Sequence, residues 1–257
     1  MLKKVIIAIF IINVGFILLG LFYEWIKSIN RRKRGDEFED TVAGKLKRIK
    51  GGYIVRNVLF YKLGMTTREL KKQRYDVDKE LLAKETETDI VFVNKKGIFS
   101  IECKSFLDKD ERHPITGSLN TAIWRKRKEN MPSYEFQNPF NQNYKHLKAL
   151  SEHGFGRAYN IVTTNAPFEF NYCGVGRNSS DSPYVSMLRN NDEKMALIRV
   201  NGLSNGIKLF IKDIEDLPDV YTEEEVKTIY EKLKTFEASK AERKVHALAK
   251  EILSYRT

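Results

Sequence analysis

Two runs of apolar residues, Ile90–Val93 and Ile98–Ile101, flank Asn94-Lys95-Lys96-Gly97, and their outer ends carry Asp89 on one side and Glu102-Cys103-Lys104 on the other. The Asn and Gly at the centre are tight-turn residues, so the segment predicts a hairpin with strands Asp89–Val93 and Ile98–Lys104. Strands that are apolar almost throughout belong inside a sheet covered on both faces. This points to an α/β chain: a mixed sheet flanked by helices.

The charged tip of such a hairpin needs a reason, because buried strands seldom carry ionisable groups. Counting across a turn centred on Lys95-Lys96 sets Asp89 opposite Glu102. Directly opposed Cβ atoms lie about 4.5–5.5 Å apart, where two like charges repel unless a cation stands between them. Alternation puts Lys104 on the face of Glu102 and turns Cys103 the other way. Two carboxylates, completed by waters and a substrate phosphate, suit Mg2+ or Mn2+, and an adjacent lysine suits a developing phosphate charge or the attacking water. Phosphodiester hydrolysis is the reaction these groups support. The competing reading is a plain charged edge, since Glu-x-Lys also occurs on solvent-facing strands.

The rest of the 257 residues separates into parts. Val5 to Phe22 is an eighteen-residue run with Asn13 as its one strongly polar member, followed by Tyr23 and Trp25 and then by Lys27 and Arg31 to Arg34. That pattern predicts an uncleaved transmembrane helix over 1–25, embedded in the lipid bilayer, and a basic juxtamembrane linker over 26–34. The excess of positive charge after the run predicts a single-pass cell-membrane protein with a cytoplasmic carboxyl-terminal body. Phe38, Val42, Leu46 and Ile49 form a helical stripe ended by Gly51-Gly52, and Tyr53–Phe60 reads as a strand. Residues 62–88 read as an insertion, helical near Thr67–Tyr75 and Asp78–Lys84. Residues 105–135 read as irregular, and a helix is expected from Asn138-Pro139 to about Glu152 with Phe140, Tyr144, Leu147 and Leu150 inward. Strands follow at Tyr159–Thr164, Ala196–Val200 and Ile207–Ile211, with a long loop over Asn171–Asn191. The body is expected at 35–220, and 221–257 as one charged helix opened by the capping pair Thr222 and Glu225. Val226, Ile229, Leu233 and Phe236 offer that helix a face for a partner protein. A net charge of +11 favours a polyanionic partner, and two cysteines exclude a disulfide framework or a four-thiolate zinc site.

Five segments, taken in order, resemble the NERD family, the nuclease-related domain of the PD-(D/E)XK (restriction-endonuclease-like) superfamily. They are Arg34 to Val42 with Leu46; Thr88 to Val93; Gly97 to Lys104; Gly117 with Trp124; and Asn138-Pro139-Phe140-Asn141-Gln142 with His146 and Leu150. They span residues 34 to about 165. The resemblance implies that Asp89 and Glu102 bind metal, that Lys104 acts on the water, and that a helical glutamate, Glu39, completes the site. DNA is the implied substrate, and RNA is not separated from it by sequence. The departures are Phe38 where the family usually has Gly, Ile90 where it often has His, and the longer connection over 62–88. They bear on the substrate surface more than on the metal site.

Helical spacing supports Glu39 independently. At about 100° per residue it borders the stripe of Phe38, Val42, Leu46 and Ile49, whereas Glu37 points away. A surface ion-pairing glutamate is the alternative. Gln142 either contacts substrate or holds the sheet, and His146 either reaches the site or is satisfied by neighbours. Trp124, followed by Arg125 to Lys128, either stacks a base beside a phosphate-tracking stripe or lies in the core before a solvated run. The rival to an enzyme is a module of the same fold whose site is vestigial, binding nucleic acid or a partner while tethered to the membrane.

Overall fold

The computed structural model describes the chain except residues 1, 74–75, 79, 81–85, 107–112, 129–130, 157, 171–175, 178–184, 191–192, 201–211, 213 and 257. The backbone alone is described at 2–12, 31, 128, 131–132, 169–170, 176–177, 185–190, 193–194 and 255–256. The chain divides into two units, Met1–Phe38 and Glu39–Thr257.

The first unit is helical throughout its described length, as part of α1 (Leu2–Leu46), which runs through the segments read as anchor and linker. Phe16, Ile17, Leu18, Leu19, Leu21, Phe22 and Trp25 are all exposed. Among the described residues no helix is long and apolar enough to cross a membrane, so the transmembrane helix expected over 1–25 is unsupported.

In the second unit the strands are β1 (Tyr53–Leu59), β2 (Glu87–Asn94), β3 (Gly97–Lys104), β4 (Ile115–Gly117), β5 (Ile123–Lys128), β6 (Met131–Gln137), β7 (Ala158–Thr164), β8 (Phe168–Phe170), β9 (Gly176–Arg177), β10 (Val185–Asn190) and β11 (Glu193–Arg199). The helices after α1 are α2 (Thr67–Lys72), α3 (Pro139–Glu152), α4 (Glu223–Lys234) and α5 (Lys240–Arg256). Seven strands form a mixed sheet in the order β1-β2-β3-β7-β11-β10-β9, and four form a second sheet, β6-β5-β4-β8. In the large sheet β3 pairs antiparallel with β2 and parallel with β7, which places the predicted hairpin inside the sheet, beside its central strand β7. Ile90, Val91, Phe92, Val93, Ile98, Phe99 and Ile101 are completely buried, as strands apolar on both faces require. Helix α3 packs on β3 and β7, and α4 on β1 and β2. This is the mixed sheet flanked by helices expected from sequence.

Several expected boundaries give way. Residues 105–135 are not irregular: β4, β5 and most of β6 lie there, strands too short and too charged to show an apolar period. The loop expected over Asn171–Asn191 contains β9 and β10, while the strand expected at Ile207–Ile211 and most of the helix near Asp78–Lys84 lie outside the described residues. The carboxyl-terminal stretch is two helices. Ser239 begins the second, its hydroxyl accepting from Glu242 N while Glu242 Oε2 accepts from Ser239 N, the same capping signal as at Thr222 and Glu225. Val226, Ile229, Leu233 and Phe236 pack against Val55, Val58 and Phe60 of the chain's own core, which occupies the face expected to meet a partner protein. On α3, Asn143 and His146 turn inward while Tyr144 is exposed, because those two polar side chains find buried partners.

Candidate active site

The hairpin register runs Asn94↔Gly97, Val93↔Ile98, Phe92↔Phe99, Val91↔Ser100 and Ile90↔Ile101, as predicted from the turn. One step further along that register Asp89 faces Glu102. There Oδ2 of Asp89 accepts the N–H of Cys103 at 2.7 Å. Lys104 Nζ lies 2.7 Å from Glu102 Oε1, which confirms that the two side chains share a face.

Helix α3 supplies the second half of the constellation. Its start is fixed by Asn138, which caps Phe140 N and donates its amide to the carbonyls of Leu119 and Thr121 at 3.1 and 2.8 Å. Gln142 and His146 are one turn apart, about 6 Å along the helix, and Lys104 and Glu102 are two residues apart, about 6.6 Å along the strand. The matched spacings let each helix residue meet one strand residue: Lys104 Nζ donates to Gln142 Oε1 at 2.8 Å, and His146 Nε2 lies 3.3 Å from Glu102 Oε2. Asn143 closes the layer beneath, accepting from Ser100 Oγ at 2.6 Å and donating to Ser100 O at 2.8 Å.

These contacts divide the two carboxylates electrostatically. Burial disfavours the charge on Glu102, but Lys104 and the His146 hydrogen bond outweigh it and hold its pKa at about 2. Asp89 goes the other way: burial, then the charges of Glu102 and Glu39, push it well above the ordinary carboxylate range, and Lys104 with the Cys103 N–H offsets this only in part. Burial would lower Lys104, yet Glu102 raises it, so the ammonium stays charged. The Cys103 thiol is pushed well up by burial and by Asp89, so it stays protonated in the metal-free protein.

Glu39 is buried at the edge of the α1 stripe, together with Val42 and Leu46. Its Oε2 is 3.2 Å from an Arg56 guanidinium nitrogen, and Arg56 also bonds Asp40. Sequence reasoning passed over Arg56, although a lone cation in the mainly apolar strand YIVRNVL is the same anomaly that singles out Asp89. Thr86, whose hydroxyl is 2.7 Å from His146 Nδ1, was also missed, and nothing in its local sequence marks it.

The remaining candidates sit elsewhere. Trp124 is 2% exposed, which leaves no ring face for a base. Its indole N–H donates to Ser118 O at 3.0 Å, and its ring lies against Gly117, where a Cβ would come within 2.5 Å of the indole. The Gly117 and Trp124 of the motif are thus packing partners. Arg125 is exposed and paired with Glu135 at 2.9 Å, while Lys126 turns inward onto the His113 carbonyl, so the basic run alternates across β5 and forms no single stripe. His146, by contrast, lies in the site itself: it is 1% exposed, with its two ring nitrogens at Glu102 and Thr86.

With this geometry in hand, the family comparison is decisive: the model of the nuclease-related domain matches residues 34–165, just over half of the 257. The chain belongs to the NERD, or nuclease-related domain, family. No curated protein matches it. One solved structure, a crystallised protein of unknown function, aligns over 85% of this chain and 98% of its own at 16% identity, with a TM-score of 0.30 that carries no argument.

The residues present in this NERD domain can be tested against a metal. Among the described residues no three His, Cys, Asp or Glu side chains stand together as a ready cage. Magnesium does not ask for one, since it is held by one or two carboxylates with waters and phosphate oxygens. Asp89, a half-buried carboxylate repelled by two others, is the donor such an ion would relieve. The donor set fits a hard divalent cation.

Proposed function

We propose that this protein is a metal-dependent nuclease that hydrolyses DNA phosphodiester bonds and is held at a membrane by its amino-terminal helix. The observation that carries the reading is the Glu102–Lys104 pair locked beside a repelled Asp89. Asp89 and Glu102 would hold Mg2+ or Mn2+. That ion, when bound, supplies Lewis-acid polarisation of the phosphate and a more acidic water. Lys104, kept charged by Glu102 and aimed by Gln142, stabilises negative charge as it builds on the scissile phosphate. Glu39, partly neutralised by Arg56, borders the same pole and adds to its negative field. The charge of +11 suits a phosphate backbone. RNA shares that backbone and is the first alternative substrate.

The test is cleavage by the full chain in Mg2+ or Mn2+ against the same chain in chelator, with Asp89→Asn and Glu102→Gln as variants. The reading expects cleavage only with metal and none from either variant while both remain folded. Full activity in chelator, or equal cleavage by all three proteins, would overturn it. DNA bound tightly but never cut would favour the vestigial binding module.

A further inference from the structure

We propose that Thr86 is a positioning residue of this centre: through His146 it fixes the orientation of the Glu102 carboxylate, and so the direction from which Glu102 meets a metal and Lys104. The proposal rests on the nuclease reading for its function, but its geometry stands apart from it. Thr86, His146 and Glu102 are 8%, 1% and 2% exposed, so water does not substitute for any partner in the chain. A carboxylate only accepts, so the ring nitrogen facing Glu102 Oε2 at 3.3 Å, Nε2, carries the proton. In the neutral ring the other nitrogen, Nδ1, then accepts, and the hydroxyl of Thr86, 2.7 Å away, rotates to donate to it. Glu102 thereby has a donor on each oxygen, Lys104 on Oε1 and His146 on Oε2, which sets the plane of the carboxylate. Neither donor needs to move for the other to hold.

Thr86 is itself anchored from outside the family segment. The next residue, Glu87, is gripped by Arg243 of α5 at 2.6 Å, with His246 at 3.9 Å, and α5 packs its Val245, Ala249 and Ile252 against Leu70 and Val77 of the insertion. The carboxyl-terminal helix and the insertion thus hold the start of β2, which directly follows Thr86 and carries Asp89.

Two measurements on the full chain test this. The first is Mn2+ affinity for wild type, Thr86→Val, which keeps the shape and deletes the hydroxyl, and Thr86→Ser, which keeps the hydroxyl. Loss of a direct outer partner of a metal ligand weakens metal binding about ten- to a hundredfold. Thr86 stands one partner further out, so Val is expected to weaken Mn2+ binding by up to about tenfold and, by leaving His146 Nδ1 without its buried donor, to lower the melting temperature of the metal-free protein by a few degrees, and Ser to restore both. Wild-type Mn2+ affinity in the Val variant, or equal loss in both variants, would overturn the proposal. The second is side-chain 15N NMR of the four histidines at mildly alkaline pH. His146 is expected with Nε2 protonated and Nδ1 a hydrogen-bonded acceptor, and the Val variant is expected to lose the Nδ1 signature. The opposite tautomer would refute the proposal whatever the metal does. The expected tautomer in a wild type that binds no Mn2+ would instead refute the metal reading and leave the arrangement standing.

Discussion

Asp89 and Glu102 show how one hairpin tip treats two carboxylates in opposite ways. Glu102 has two cationic or N–H donors and titrates at about 2, so it contributes stability above the ordinary carboxylate range that is lost as pH falls toward that value. Asp89 has one backbone donor and two repelling neighbours, and its folded pKa lies above its unfolded one. The folded form therefore holds its proton longer, and the metal-free protein loses stability as pH rises from the ordinary carboxylate pKa through the folded value. Asp89→Asn deletes that penalty and keeps an oxygen for the Cys103 N–H. In chelator it is expected to melt above wild type at neutral pH, by about 2–4 °C per kcal/mol of repulsion removed, and to match wild type below the unfolded carboxylate pKa. Melting curves across that range check it; a variant less stable at neutral pH would contradict the assigned electrostatics. Of these residues, the pairing of Asp89 with Glu102 and the side of Lys104 were legible from sequence because turn position and period-two alternation fix both. Thr86 was not, since its partner is 60 residues away and only the folded chain brings the two together, while Arg56 stood out as a lone cation in an apolar strand but its partner, 17 residues away, did not.

Among the elements, α3 and the small sheet do most to hold the site's surroundings. Helix α3 was legible through Asn138-Pro139, a cap followed by a residue that suits the first turn. Its inward face was misassigned because Asn143 and His146 are polar, and only their buried partners make that face the inner one. The small sheet was illegible for a related reason: β5 alternates Trp124, Arg125, Lys126 and Arg127, and burial of Lys126 depends on the His113 carbonyl, which no local pattern announces. The sheet's packing on the site side turns on Gly117, which gives way to the Trp124 ring, and Trp124 in turn meets Phe140 of α3 with ring centroids 5.8 Å apart. Gly117→Ala is expected to destabilise by about 1–3 kcal/mol, the usual cost of an overpacked core, because an indole cannot swing aside as a flexible chain end does. Denaturant unfolding measures this. An unchanged midpoint would mean that the ring moves freely and that the sheet does not brace α3.

At the scale of the whole molecule, the proposed membrane attachment belongs to the first unit and the proposed chemistry to the second. Phe16 to Phe22 of the first unit are apolar and exposed, so its proposed attachment is hydrophobic, with Tyr23 and Trp25 suited to the interface and Lys27, Lys33 and Arg34 to anionic headgroups. Membrane fractions are expected to retain the protein through high-salt washing and to release it with detergent; release by salt alone would show a peripheral basic contact instead. In the second unit the central claim is that Lys104 serves chemistry and not only charge. Lys104→Met keeps the alkyl stem and removes the ammonium. The measurement is paired: cleavage rate and DNA affinity of wild type and variant at one ionic strength. The account predicts a loss of at least about a hundredfold in turnover, the scale of one preorganised charge-stabilising group, with affinity reduced only by about one phosphate contact's share. Affinity that collapses in step with cleavage, or turnover left intact, would contradict it.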